Sequence, residues 1–393
     1  MKMKSIRDVD VKGKRVLVRV DFNVPTSDGT VTNEKRIRAA MPTIEHLSDN
    51  GARVVLMSHL GRPKGEGYEE EFSIAPAARV LSKLLGKDVK VVPVVTGPEA
   101  VAASKALEDG QVMMVENLRF DKREKKDDEA FARELAELGD IYVDDAFGVS
   151  HRAHASVDAV AKLLPAYSGF LMEKEVETLQ GVIDDPKRPF MAILGGAKVS
   201  DKIVLVERML DIVDSLVIGG GMCFTFLKAM GHEVGNSLVE NDWVQHAGEL
   251  IAKAEKSGVD LVLPVDVVAA REIREDAETR TCAVDEIPAD MMGLDIGPAT
   301  CELFRQKIAG MNTIIWNGPM GVFETKPFED GTRRVAQALA DNDKATTIIG
   351  GGDSAAAVSK FGLDEAMTFI STGGGASMQL LEGTPLPGVV ALG

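Results

Sequence analysis

The chain has 393 residues, 27% of them charged and 45% hydrophobic, enough for two domains with separate cores. Its net charge of −16 argues against nucleic acid or an anionic membrane as the main partner and makes any local basic cluster stand out. Three scattered cysteines without paired or zinc-like spacing, no apolar secretory core at the N-terminus and no apolar run near ~20 residues predict a cytoplasmic protein with reduced thiols and no membrane contact.

In chain order, Arg15–Val20, Arg53–Met57, Val89–Val95, Val112–Val115 and Asp140–Val143 are short β-branched or apolar runs, the pattern of buried strands. Segments with helical spacing, Ile37–Asp49, Pro76–Leu85 and Glu129–Leu138, lie between several of them. The alternation predicts a doubly wound parallel sheet, whose ligands sit beyond the carboxyl ends of the strands. Four of the runs lead into polar tails: Asp21-Phe22-Asn23-Val24-Pro25, Ser58-His59-Leu60-Gly61-Arg62-Pro63, Glu116-Asn117-Leu118-Arg119-Phe120, and Asp144-Asp145-Ala146-Phe147-Gly148 before His151-Arg152-Ala153-His154. Arg36, His59, Arg62, Arg119 and Arg152, with Asp21 and Asn23 nearby, describe a site for a small phosphorylated, hydroxylated acid. Arginine suits bidentate recognition of phosphate or carboxylate, and Asp21 and Asn23 would orient a hydroxyl. Any one of these arginines alone is better explained by a surface ion pair; their recurrence at strand tails argues for a site. His154 reads as a structural histidine, and the charged run Asp121–Glu129 as a solvated loop and helix start.

Leu164–Gly169 breaks the alternation. The helical stretch Leu171–Ile183 follows and reads equally as an inter-domain connector or as a surface helix of the first domain. Phe190–Leu194 then reads as a buried strand stopping at Gly195-Gly196, with a helix from about Val199. Lys198 and Lys202, four apart, would share one face of it beside a phosphate at the helix N-terminus. Four more apolar runs end in glycine: Leu216–Ile218 before Gly219–Gly221, Thr313–Trp316 before Asn317–Gly321, Thr346–Ile349 before Gly350-Gly351-Gly352-Asp353-Ser354, and Thr368–Ile370 before Ser371–Gly375. Five such tails at one sheet edge predict a backbone-lined crevice for a nucleotide or phosphate. The P-loop motif is absent, which excludes that class, and the first strand lacks the dinucleotide glycine fingerprint, which weakens a nicotinamide reading. Asp353 and Ser354 are N-cap candidates that would also suit Mg²⁺ through the carboxylate and phosphate through the hydroxyl; Glu324 would suit ribose hydroxyls.

Taken together, Asp21–Pro25, Ser58–Lys64, Glu116–Phe120, Asp145–Ser156, Gly195–Lys202, Gly219–Met222, Trp316–Glu324, Gly350–Asp353 and Leu386–Val389 resemble, in order and over essentially the whole chain, the signatures of the phosphoglycerate kinase family. The resemblance implies an α/β fold of two Rossmann-like doubly wound parallel-sheet domains joined by a hinge helix. A 3-phosphoglycerate-binding domain would occupy 1–170 with a returning tail at about 380–393, the helix 171–185, and a nucleotide-binding domain 186–379. It also implies a monomer, and reversible transfer of the γ-phosphoryl group of MgATP to the carboxylate of 3-phosphoglycerate, giving 1,3-bisphosphoglycerate and ADP. By the same resemblance, Asp21, Phe22, Asn23, Arg36, His59, Leu60, Gly61, Arg62, Arg119 and Arg152 hold the phosphoglycerate. Gly195, Lys202, Gly219, Gly220, Gly293, Asn317, Glu324, Gly350, Gly351, Gly352, Asp353 and Ser354 hold the nucleotide, with Asp353 toward Mg²⁺. Arg36, Lys198, Gly373 and Gly374 surround the transferring group.

Ser354 stands where a threonine is usual, Asp144 where asparagine is common and Thr384 where lysine is common; Asp144 brings extra negative charge toward the supposed anion site. A substrate carboxylate is already ionised at neutral pH, so no general base is expected, and the chain has no obvious Ser–His–Asp or Cys–His set. The chemistry reduces to positioning and charge neutralisation, with closure about the connector. Another small-molecule carboxylate kinase and a non-catalytic two-domain ligand-binding protein are the alternatives.

Overall fold

The computed structural model describes residues 3–393. Residues up to Thr178, with Pro385–Gly393, make one unit, and Leu179–Thr384 make a second. Among the described residues no helix is long and apolar enough to cross a membrane.

In the first unit β1 (Arg15–Arg19) is followed by a small hairpin, β2 (Thr26–Ser27) and β3 (Thr30–Val31), which turns at Asp28-Gly29 with both residues at positive φ. The strands β4 (Arg53–Met57), β5 (Val89–Val92), β6 (Val112–Val115), β7 (Ile141–Asp144) and β8 (Ala166–Ser168) come next. Six strands form one sheet in the order β5-β6-β4-β1-β7-β8, every neighbouring pair parallel. The chain leaves β1 for β4 on one side and returns to β7 on the other, so β1 lies at the topological switch point where such sheets bind ligands. The helix Lys35–Asp49 buries Ile37, Ala40, Ile44 and Leu47 at helical spacing, in one core with Val16, Val18, Val54 and Leu56. Each fully buried aliphatic side chain of this kind contributes about 1.5–3 kcal/mol.

Leu164–Gly169 does more than interrupt the pattern. Pro165 and Gly169 flank Ala166–Ser168, which keeps its N–H groups and adds an edge strand to β7. The next helix, Phe170–Asp184, starts on acceptors from this unit: Leu171 and Met172 N–H donate to Asp145 Oδ1 at 2.9 and 3.3 Å, and Phe170 N–H to Thr43 Oγ1 at 2.9 Å. Burial pushes the Asp145 carboxyl up to about 8. The C-terminal helix Pro387–Val390 packs onto the same unit, with Gly388 N–H donating to Ser150 O at 2.9 Å.

The second unit holds β9 (Phe190–Leu194), β10 (Ser215–Ile218), β11 (Asp260–Val262), β12 (Asp266–Ala270), β13 (Arg280–Ala283), β14 (Met292–Ile296), β15 (Thr313–Asn317), β16 (Thr346–Gly350) and β17 (Phe369–Ile370). Six of these form a parallel sheet in the order β11-β10-β9-β15-β16-β17. The other three pair antiparallel as β13-β12-β14, a small sheet absent from the sequence reading. Trp316 is fully buried in a core with Ile193, Ile314 and Ile349, and its indole N–H donates to Gly318 O at 2.7 Å.

Two local expectations fail here. The helix after Gly195-Gly196 is Ile203–Met209 and does not begin near Val199. Glu240 captures the Ser200 N–H at 2.9 Å and the Ser200 hydroxyl at 2.6 Å, holding the intervening segment as a loop, so Lys198 and Lys202 do not share a helical face. In the other case, Asp353 and Ser354 are not N-caps. The cap of the helix Gly352–Lys360 is Gly351 at φ 90°, a conformation that favours glycine, and the two side chains project from the first turn.

Candidate active site

Because the first sheet is parallel, the tails of β6, β4, β1 and β7 emerge side by side. Hydrogen bonds knit them together. Arg36 Nη1 lies 3.2 Å from Asp21 Oδ2 and donates to Asn23 O at 2.9 Å, while Asn23 Oδ1 accepts from Gly61 N–H at 2.9 Å. Arg119 Nη1 donates to Gly61 O at 2.7 Å, and its buried Nε has no partner among the described residues, a donor left for an anion. Burial, then the charge of Arg19, lowers the affinity of Arg119 for its proton; the guanidinium stays charged all the same. Arg62 and Arg152 are exposed. Phe22 and Leu60 are buried and serve as scaffold: Phe22 N–H donates to Ser58 Oγ at 2.9 Å and Leu60 N–H to Asn117 Oδ1 at 3.1 Å.

Beneath these groups lies a buried chain that the sequence reading missed. Arg19, the last residue of β1, is fully buried. Its Nε donates to Ser156 Oγ at 2.9 Å, its Nη1 to Val20 O at 2.5 Å, and its Nη2 meets His59 Nδ1 at 3.1 Å. Ser156 in turn donates from Oγ to Glu124 Oε1 at 2.6 Å and from its N–H to Glu124 Oε2 at 3.0 Å. Glu124 therefore does not belong to a solvated charge run; it is fully buried. Burial pushes the His59 imidazole well below its ordinary range, helped by Arg19, Arg119 and Arg36, so the ring is neutral. His154 is likewise driven down to about 4 by burial and then by Arg19. An arginine in a strand buried on both faces was a usable signal for Arg19, because such a charge must find partners inside. Glu124 carried no such signal.

In the second unit the tails of β10, β9, β15, β16 and β17 also emerge in sheet order, but they present backbone. They lock into one another: Gly195 N–H donates to Asn317 O at 3.0 Å, Gly196 N–H to Pro319 O at 2.9 Å, and Gly219 N–H to Leu194 O at 2.8 Å. A Cβ at Gly220, where φ is +63°, would stand 2.5 Å from Gly196 N, so the neighbouring tail itself requires this glycine. One cavity of about 450 Å³, with mostly apolar walls, is lined by Gly220, Phe224, Gly293, Met320, Glu324 and Asp353 among others. Gly293 leaves room for the Phe224 ring, which a Cβ would meet at 2.2 Å. A second cavity of about 310 Å³ shares Gly196, Ala197, Pro319 and Asp353 with the first and adds Lys198, Lys202, Asn317, Gly351, Gly352, Ser354 and Gly374. Lys202 Nζ donates to Asn317 O at 2.7 Å and to Asn317 Oδ1 at 2.5 Å, and burial brings its ammonium down to about 8 against the opposing pull of Asp353 and Asp201. Asn317 Nδ2 is buried without a partner among the described residues, beside Gly350 and Gly351. Ser354 Oγ accepts from Gly318 N–H at 2.6 Å. Gly373 N–H is taken by Ser371 Oγ at 3.2 Å, whereas Gly374 lines the cavity.

The family model of phosphoglycerate kinase matches residues 6–384. The phosphoglycerate kinase of Coxiella burnetii shares 43% identity and superposes with a TM-score of 0.90, over 100% of this chain and 99% of that one. That of Pyrococcus horikoshii OT3 shares 33% identity with a TM-score of 0.86, over 99% of this chain and 98% of that one. The chain belongs to the phosphoglycerate kinase family. It is an enzyme with phosphoglycerate kinase activity, and its two-unit α/β architecture is that of the family.

Phosphoglycerate kinases use MgATP. The described residues contain no group of three or more His, Cys, Asp or Glu side chains able to hold a metal by themselves. Asp353, exposed and lining both cavities, supplies a single carboxylate. That donor set fits Mg²⁺, which is commonly held by one or two carboxylates together with substrate phosphates.

Proposed function

We propose that the basic cluster of the first unit binds 3-phosphoglycerate and that the glycine edge of the second binds MgATP. On this reading residues 1–170 with the C-terminal tail form the acid-binding domain and 186–379 the nucleotide domain, with 171–185 as the helix between them. The observation that carries the acid site is the cluster in which Arg36 holds Asp21 and Asn23 O, His59 stands beside Asp21, and Asn23 and Arg119 both bond the Gly61 backbone, with Arg119 Nε left without a partner among the described residues. For the nucleotide, the apolar cavity suits a base and its neighbour, lined by Lys198, Lys202 and the start of the helix Gly352–Lys360, suits phosphates.

An oxygen of the substrate carboxylate attacks the γ-phosphorus, the bond to the β–γ bridging oxygen breaks, and the products are 1,3-bisphosphoglycerate and ADP. The nucleophile is already ionised, so no residue has to remove a proton. The chain's residues orient and neutralise: Arg119, Arg62, Arg152 and His59 hold the acid, Asp21 and Asn23 its hydroxyl. Lys202, Asn317 and the glycine tails hold the nucleotide, and Lys198, Arg36 and the Gly374 N–H meet charge on the transferring group. Asp353, together with the nucleotide phosphates, would hold Mg²⁺, which would supply charge neutralisation. The enzyme works as a cytoplasmic monomer.

The test is oxidation of NADH by glyceraldehyde-3-phosphate dehydrogenase coupled to the reaction of the protein with MgATP and 3-phosphoglycerate. Signal that requires both substrates and is abolished by EDTA supports the reading. Folded protein that binds ATP yet gives no signal overturns the acid assignment.

A further inference from the structure

We propose that Glu124, acting through Ser156 and Arg19, is a positioning residue that fixes the tautomer of His59, so that this histidine offers its Nε2–H to the bound acid. The proposal rests on the acid-site reading above for the identity of the ligand, and on hydrogen-bond direction for everything else. A guanidinium has donors and no acceptor. The 3.1 Å contact between Arg19 Nη2 and His59 Nδ1 is therefore a bond that Arg19 donates, and His59 Nδ1 must be bare. A neutral imidazole with a bare Nδ1 carries its proton on Nε2, which has no partner among the described residues.

What keeps Arg19 aimed at the ring is the other end of its fork. Its Nε is tied to Ser156 Oγ, and its Nη1 to Val20 O, which together set the plane of the guanidinium. The Ser156 hydroxyl accepts from Arg19 and so spends its own proton on Glu124 Oε1, while the Ser156 N–H takes Oε2. Both Glu124 oxygens thus face donors, as an ionised carboxylate requires. Burial works against that charge, and Arg19 is the strongest group opposing the effect, ahead of the Ser156 hydrogen bonds and Arg119. His154 Nδ1 stands 3.8 Å from Glu124 Oε1 and is held neutral, so it leaves Arg19 as the counter-charge. A buried carboxylate with no ligand contact of its own thereby reaches the site across two residues.

The experiment is long-range ¹H–¹⁵N NMR of the histidine rings in the full-length enzyme, with steady-state kinetics alongside. Wild type should show His59 as a single neutral Nε2–H tautomer whose resonances move when 3-phosphoglycerate is added. In Glu124→Gln and Ser156→Ala, a measurable Nδ1–H population should appear. The KM for 3-phosphoglycerate should rise about tenfold, the scale of one hydrogen bond to a charged group, while the KM for ATP and kcat stay within about twofold. Ser156→Thr, which keeps the hydroxyl, should restore both readings. If Glu124→Gln does not fold, Ser156→Ala carries the test. An unchanged Nε2–H tautomer in the folded variants would overturn the proposal. A changed tautomer with no effect on 3-phosphoglycerate would uphold the lock and overturn the acid-site reading instead.

Discussion

The two units share one scaffold and differ in what their strand tails present. Each has a six-stranded parallel sheet whose central tails leave the same edge side by side. In the first unit those tails carry polar side chains, Asp21, Asn23, His59 and Arg119; Arg36 holds Asp21 and Asn23 O, and Asn23 and Arg119 both bond the Gly61 backbone. In the second they carry glycines that pack backbone against backbone and leave cavities of about 450 and 310 Å³. Parallel strands place their ends together whatever follows them; the residues at the ends then decide the ligand. Charged side chains suit a small anion that must be gripped from several directions. Bare backbone suits a larger ligand whose phosphates approach N–H groups closely.

Substitutions that make one edge resemble the other test this contrast. The largest effect is expected from Lys198→Ala, one of two lysines among the glycine tails, where the lost transition-state contact is worth roughly 3–4 kcal/mol. Its kcat should fall by about two to three powers of ten with little change in KM, and a normal kcat would remove the role given to Lys198. Next comes Arg119→Ala, which deletes a buried donor without a partner among the described residues, in the proposed acid site. The KM for 3-phosphoglycerate should rise about 10- to 100-fold, as for a charge-assisted hydrogen bond, with the KM for ATP unchanged. Gly220→Ala puts a Cβ 2.5 Å from Gly196 N at φ +63°. It should cost about 2 kcal/mol of stability and weaken ATP binding measured by calorimetry, leaving 3-phosphoglycerate binding intact.

The smallest effect concerns Asp144, fully buried at the end of β7 with its carboxyl pushed up to about 6 by burial, an effect that the Ala146 N–H and Arg19 partly offset. A carboxyl whose folded pKa is raised binds its proton more tightly folded than unfolded. Its contribution to stability is therefore most favourable below the ordinary carboxylate range and falls as pH rises toward about 6. Asp144→Asn should be close to neutral at about pH 4 and stabilising by about 1–2 kcal/mol at about pH 7.5. Urea unfolding at both pH values checks this, and equal differences at the two would exclude titration of Asp144 as the cause. With its carboxyl at about 6, Asp144 stays largely ionised at neutral pH, so burial weakens the protein there without removing the negative charge.

Much of this architecture was legible in one dimension. Short apolar runs ending in polar or glycine tails located most of the strands in both sheets, because strands buried on both faces must be almost wholly apolar. The alternation with helices required parallel pairing, and parallel pairing required the tails to meet. Residue types at the tails then pointed to a phosphorylated acid and a nucleotide. Burial and hydrogen-bond competition were decided only in three dimensions. Glu240, distant in sequence, captures Ser200 and keeps Lys198 and Lys202 off a common helix. Gly351 takes the cap position that Asp353 or Ser354 would otherwise fill. Glu124, in a run of charges that reads as solvent-facing, is drawn inside by Ser156 and balances Arg19. Periodicity reports which face of an element is apolar, a local property written in the chain. Which polar group inside the protein meets which depends on atoms brought together from distant segments, and only the folded structure supplies that pairing.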